Sequence, residues 1–183
     1  MNDSLRIVLT GGPGTGKTTI INRIKILGYN VFEEFSRTVI QEQLALGSRV
    51  LPWDDLPAFS ESVIAGRQKQ WIEGASHSVS FYDRSIIDSL AYMHKDGLEI
   101  PEKWVEMGNK FRYHHLVFIT PPWSEIYQQD AERRESFEAL QLIHQSLIHT
   151  YNQFGYDLME VPFMPIEDRF EFIISQLKNI SRL

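Results

Sequence analysis

Short apolar runs alternate with longer amphipathic stretches along this chain, and residues 6–9, 30–32, 79–82, 116–120 and 156–161 read as five strands separated by helical segments. Runs that stay apolar on successive residues, with helices between them, predict a parallel sheet covered on both faces. After the first strand, Ile20, Ile21, Ile24 and Leu27 recur at helical spacing, and Gly28 supplies a stop. Residues 33–78 have room for two or three helices, punctuated by Pro52-Trp53-Asp54-Asp55-Leu56-Pro57, and are placed to build a cover over a substrate. A helix is expected over about 85–94, and Pro101-Glu102-Lys103 reads as the first turn of another. Phe137, Leu140, Ile143, Leu147 and Tyr151 mark a helix before the last strand. Ile166, Phe170, Ile173, Ile174 and Leu177 share a core-facing stripe on a final helix over about 165–178. No repeat, low-complexity tract or linker interrupts the pattern, so residues 1–183 are expected to form one domain.

Composition narrows the class. A formal net charge of −6 and a pI near 5.5 leave no general basic surface, which argues against a nucleic acid polymer as partner. The absence of cysteine excludes disulfides, thiolate metal sites and cysteine nucleophiles. No apolar run approaches the roughly 18 residues of a membrane span, and the first residues lack the pattern of a secretory signal, so a soluble, cytoplasmic protein is expected.

The chemistry starts at Gly11-Gly12-Pro13-Gly14-Thr15-Gly16-Lys17-Thr18, a complete G-x-x-x-x-G-K-[ST] loop between a strand and a helix. Such glycines let successive backbone N–H groups face phosphate oxygens. Lys17 adds a compact cation, Thr18 offers a hydroxyl to Mg²⁺, and the following helix aims its positive end at the same site. Gly12, Pro13, Gly14, Thr15, Gly16, Lys17, Thr18 and Thr19 are therefore the expected nucleotide-binding residues.

Ligands of parallel sheets gather at the carboxyl ends of the strands. The second strand ends in Glu33-Glu34 followed by Phe35-Ser36-Arg37, and the third in Asp83-Arg84-Ser85. Asp83 stands where a Walker-B acid would meet Mg²⁺ opposite Thr18. Arg84 suits phosphate or a substrate oxyanion, because its planar guanidinium is always charged. Glu34 or Glu33 is the candidate base for an attacking hydroxyl, its neighbour serving the helix that begins near Ser36. Glu33, Arg37 and Arg84 are the expected acceptor-binding residues. Asp130-Ala131-Glu132-Arg133-Arg134-Glu135 follows a Pro-Pro-Trp turn, within a lid expected over about 121–137; Arg133 and Arg134 would close over the transferred group. His114 and His115 are adjacent and His144 and His149 are five apart, so neither pair has the i, i+4 spacing of a helical metal site. Trp53, Trp71, Trp104 and Trp123 read as packing residues, with Trp123 placed beside the lid.

With these residues in hand, the chain resembles the P-loop ATPases grouped with the kinase domain of the ribosylnicotinamide kinases and with the TRPL-translocation-defect GTP-binding protein, an AAA-named but kinase-like family. The resemblance rests on Gly11 to Thr18, on Glu33-Glu34-Phe35-Ser36-Arg37, on Phe81-Tyr82-Asp83-Arg84, and on Asp130 to Glu135 with the helix and Gly155-Tyr156 beyond. Asp83-Arg84-Ser85 is also similar to the acid-Arg-Ser motif of deoxyribonucleoside kinases and the Asp-Arg motif of thymidylate kinases. It implies an α/β, three-layer P-loop fold, kinase-like with a lid, and a monomer or homodimer rather than a ring-forming machine. No guanine-reading Asn-Lys-x-Asp is present, which favours ATP over GTP. The expected activity is ATP- and Mg²⁺-dependent transfer of the γ-phosphate to a small hydroxyl-bearing acceptor, a nucleoside or nucleotide-like compound. A nucleotide-driven switch acting on a protein or lipid partner is the alternative.

Overall fold

The computed structural model describes residues 4–126 and 136–181. Five parallel strands, β1 (Leu5–Gly11), β2 (Asn30–Phe32), β3 (Val79–Asp83), β4 (Leu116–Thr120) and β5 (Asp157–Glu160), form one sheet in the order β2-β3-β1-β4-β5. Among the described residues seven helices cover it: α1 (Lys17–Ile26), α2 (Phe35–Ala45), α3 (Leu56–Glu73), α4 (Ile86–Lys95), α5 (Glu102–Lys110), α6 (Phe137–Gln153) and α7 (Ile166–Ser181). A 3₁₀ turn, Gly74–Ser76, leads from α3 to β3.

The core is double because the pleat sends successive side chains to opposite faces. Ile7 and Leu9 of β1 join Phe81 and Phe118 against Ile20, Ile24, Phe170 and Ile173, so α1 and α7 cover one face. Val8 points the other way, with Tyr82, Val117 and Ile119, into the layer built by α3, α4 and α6. This is the expected architecture, and residues 33–78 supply α2, α3 and the 3₁₀ turn.

Helix starts follow local chemistry. Asp55 caps α3 by accepting from the Ala58 N–H at 3.1 Å, with Pro57 in the first turn. Ser85 and Asp88 close a capping box at α4, and Ser136 caps α6 by accepting from the Ala139 N–H. The strand limits differ modestly from the apolar runs. β1 continues through Thr10 and Gly11 because the ladder to β4 extends to Gly11 opposite Thr120. β5 stops short of Tyr156 and Val161, which are buried as core residues outside it.

Candidate active site

The carboxyl edge of the sheet carries the phosphate-binding loop. Gly11, Gly14 and Gly16 have φ of 139°, 73° and 86°, values that would strain any residue with a Cβ, and they turn the chain between β1 and α1. The loop is anchored from below: Thr120 Oγ1 donates to the Thr10 carbonyl at 3.1 Å, and the Thr15 and Thr120 hydroxyls lie 2.6 Å apart. From α7, Arg169 Nη2 donates to the Thr15 carbonyl at 3.0 Å. Lys17 Nζ folds back on the Gly12 carbonyl, 2.6 Å away. Burial pulls the Lys17 ammonium down to about 8, with Arg84 acting in the same direction and Asp83 and Glu34 against it.

Beside the loop, three strand-end residues form a buried charge cluster. Arg84 has φ of 74°, the only non-glycine positive φ among the described residues. Its backbone N–H is held by the Leu9 carbonyl, and its guanidinium bridges Glu34 at 3.0 Å and Asp88 at 3.4 Å. Such a conformation costs about 1–3 kcal/mol and persists only where its surroundings fix it. Burial would raise the Glu34 carboxyl, but Arg84 and Lys17, with the Ser36 hydroxyl and Arg37, hold it well below the ordinary range. Asp83 is pushed up to about 6 by burial and by Glu34, against Lys17 and Arg84, and its Oδ1 is buried without a hydrogen-bond partner. An orphaned carboxylate oxygen on the strand next to the loop and the hydroxyl of the exposed Thr18 are oxygen donors of the kind Mg²⁺ takes.

Asp88 ties this cluster to the rest of the fold. It accepts from Thr10 Oγ1 at 2.5 Å, from the Ser85 N–H at 2.8 Å and from the Tyr151 hydroxyl at 2.6 Å, so β1, α4 and α6 meet on one carboxylate. Burial works against its charge, but Arg67, Arg84 and these donors hold its pKa below the usual value.

All of this opens into one cavity of about 860 Å³. Pro13, Gly14, Gly16, Lys17, Thr18 and Thr19 line it. Leu56, Phe59 and Val63 of α3 and Tyr92 of α4 line it too, as do Trp123, Ile126, Pro165 and Arg169.

Of the residues singled out from sequence, Lys17, Thr18, Glu34, Arg37 and Arg84 line this cavity, while Gly12, Thr15 and Asp83 are buried and do not line it. Glu33 does not join them: the chain turns at the end of β2 so that Glu33 is exposed and pairs with Lys25 at 2.5 Å, while its neighbour faces inward. Neither glutamate caps α2 through its side chain, since Glu34 instead accepts from Ser36 Oγ and Arg37 Nε. Trp53 and Trp123 line the cavity, whereas Trp71 and Trp104 pack. Residues 127–135, with Arg133 and Arg134, lie outside the described residues. Among the described residues no cluster of histidine and carboxylate side chains is suited to holding a metal.

Sequence reasoning missed Arg67, Arg169 and Asp88. Asp88 carries a readable signal, the Ser85-x-x-Asp88 box; the two arginines sit in ordinary amphipathic helices that give none.

An AAA domain model matches residues 6–169, from β1 into the first turn of α7, and so includes the whole site. The chain belongs to this family. Among curated proteins none matches it. Among solved structures, deoxyadenosine kinase from M. mycoides with bound dATP superposes with a TM-score of 0.65 at 15% identity, covering 95% of this chain and 99% of that one. The NadR protein in complex with NR superposes with a TM-score of 0.68 at 17% identity, covering 98% of this chain and 52% of NadR. NadR in complex with NAD and AMP-PNP gives 0.68 at 18% identity, covering 98% and 50%. The chain thus spans about half the length of NadR and nearly all of the deoxyadenosine kinase. These likenesses show that the chain shares the α/β P-loop fold of those structures. Among the described residues no helix is long and apolar enough to cross a membrane.

Proposed function

We propose that this protein is an ATP- and Mg²⁺-dependent phosphotransferase acting on a small hydroxyl-bearing metabolite of nucleoside or nucleotide-like structure. The observation that carries the reading is Glu34: a carboxylate clamped by Arg84 at 3.0 Å, which lines the same cavity as the phosphate-binding loop and the apolar side chains of α3.

In this reading the loop N–H groups and Lys17 hold the β- and γ-phosphates of the donor, Lys17 exchanging the Gly12 carbonyl for phosphate oxygen. Thr18 and Asp83 would hold Mg²⁺, whose chemistry is to neutralise charge on the phosphate oxygens. The acceptor hydroxyl lies against Glu34, which takes its proton as the new O–P bond forms and the bond from the γ-phosphorus to the β-bridging oxygen breaks, leaving ADP. A weakly basic carboxylate suffices, because phosphoryl transfer depends more on positioning and charge than on proton abstraction. Arg84 and Arg37 place the acceptor, and Arg133 and Arg134 close over the transferred group.

The test is incubation with Mg²⁺ and γ-labelled ATP, with and without a panel of nucleosides, using Lys17→Ala as the control for contaminating kinases. Label in a new acceptor, absent with Lys17→Ala, is the expected result. Label released only as inorganic phosphate would overturn the reading in favour of a nucleotide switch.

A further inference from the structure

The phosphate-binding loop takes one of its bonds from the last helix of the chain. Arg169, in the first turn of α7, is 3% exposed and donates from Nη2 to the Thr15 carbonyl at 3.0 Å. Its helix is a fixed platform: Phe170, Ile173, Ile174 and Leu177 are buried in the core shared with α1, and Glu167 pairs with Arg23 of α1 at 2.9 Å. Among the described residues no carboxylate pairs with Arg169, and burial alone lowers its pKa, with no neighbouring charge drawing it back. Burying a cation without a counter-charge is costly, so its place against the loop calls for a reason beyond packing.

What the guanidinium holds is one peptide plane. In a trans peptide the C=O and the following N–H point in opposite directions, so fixing the Thr15 carbonyl also fixes the Gly16 N–H, which donates to no carbonyl of the protein. Nothing else on the page fixes this plane. The Thr15 hydroxyl is pinned, to the Gly12 carbonyl at 2.9 Å and beside Thr120 Oγ1 at 2.6 Å, but that leaves rotation about the Thr15 Cα–C bond open. Gly16 has φ of 86°, and a glycine takes the negative φ of the flipped plane about as readily. The guanidinium lies against this same residue: a Cβ on Gly16 would meet Arg169 Nη1 at 2.6 Å.

We propose that Arg169 is a positioning residue for the phosphate donor: by holding the Thr15 carbonyl it locks the Thr15–Gly16 peptide with the Gly16 N–H turned to the phosphates before nucleotide arrives. This deepens the phosphotransferase reading on its donor side and rests on it only for the ligand of the loop, a polyphosphate with Mg²⁺. Without Arg169 the competent loop is a smaller share of the free protein, so binding weakens by that share. A bound triphosphate then holds the Gly16 N–H itself, so turnover at saturation stays near native.

The test is calorimetric binding of two probes with Mg²⁺, a non-hydrolysable ATP analogue and inorganic tripolyphosphate, which has the phosphates and no nucleoside. Arg169→Gln, too short to reach the carbonyl, is expected to bind both about 10–100-fold more weakly, the range of a hydrogen bond to a charged group, and by factors that agree within about threefold. Arg169→Lys, still charged but one atom short, is expected to fall between it and the native protein. With γ-labelled ATP, Arg169→Gln is expected to raise KM while kcat stays within about threefold. Unchanged affinity in Arg169→Gln, a loss confined to the ATP analogue, or a fall in kcat with KM unmoved overturns the proposal. Should Arg169→Gln fail to fold, Arg169→Lys decides: binding of both probes weaker by at least about threefold is expected, and native affinity overturns the proposal. If the native protein binds neither probe at millimolar concentration, the reading of the loop fails and the proposal with it. If both bind through Arg169 and no acceptor is phosphorylated, the phosphotransferase reading alone fails.

Discussion

Arg84 Nε donates to Glu34 Oε1 across 3.0 Å, joining the first residue after β3 to the second after β2. Fifty positions apart in sequence, the two are brought together by the parallel pairing of β2 with β3, in which Phe32 stands opposite Tyr82. The pairing explains the unusual backbone of Arg84: its left-handed conformation aims the guanidinium back across the strand ends, between Glu34 and Asp88. Arg84 keeps Glu34 ionised, and Asp88 keeps Arg84 in place.

Asp83 is the first residue to test at the metal. Its partnerless Oδ1 gives it little to lose structurally, so Asp83→Asn is expected to leave the fold stable while raising the Mg²⁺ concentration needed for half-maximal activity by tenfold or more. An unaltered magnesium titration would remove Asp83 from the site.

Asp88 should act on stability. Its carboxyl titrates below the ordinary value near 3.8, so the fold favours its charged form. The stabilisation is complete above that ordinary value and is lost as the pH falls through the lower folded-state value. Asp88→Asn leaves Arg67 and Arg84 short of a counter-charge and is expected to cost about 3–5 kcal/mol at pH 7, read from urea midpoints. The gap from the native protein should narrow below pH 3.8; a gap constant from pH 7 to 3 would show that the charge contributes nothing.

The loop's seating on α6 gives a prediction about coupling. A Cβ at Gly12 would lie 2.1 Å from Leu140 Cδ1, a fully buried side chain. Gly12→Ala is therefore expected to push the loop off α6, costing about 1–3 kcal/mol and weakening nucleotide binding. Leu140→Ala alone should cost about 2–5 kcal/mol by opening a cavity. Made together, the two should cost at least 1 kcal/mol less than their sum, since the new methyl occupies the space vacated. Strict additivity in a double-mutant cycle would contradict the contact.

Much of this fold was legible because both faces of the sheet are buried, so the strands appear as unbroken apolar runs such as Ile7-Val8-Leu9. The phosphate-binding loop was legible because glycine is required where φ is positive. What could not be read was direction. Glu33 and Glu34 are chemically identical neighbours, and only the exit angle of β2 sends one to solvent and the other to Arg84. Arg67 and Arg169 were hidden for a related reason: helical spacing cannot tell a cation turned to water from one turned into a cavity roofed by distant elements.

The central claim is that Glu34 serves the acceptor rather than the nucleotide, and single-turnover transfer with Glu34→Gln tests it most directly. The variant keeps the shape of the side chain and removes its charge. Nucleotide affinity should stay within a few-fold of the native protein, while the rate of γ-phosphate transfer to the acceptor falls by about 10²–10⁴-fold, the range of a positioned acid–base group. Transfer at an undiminished rate, or a loss explained wholly by weaker nucleotide binding, would contradict it.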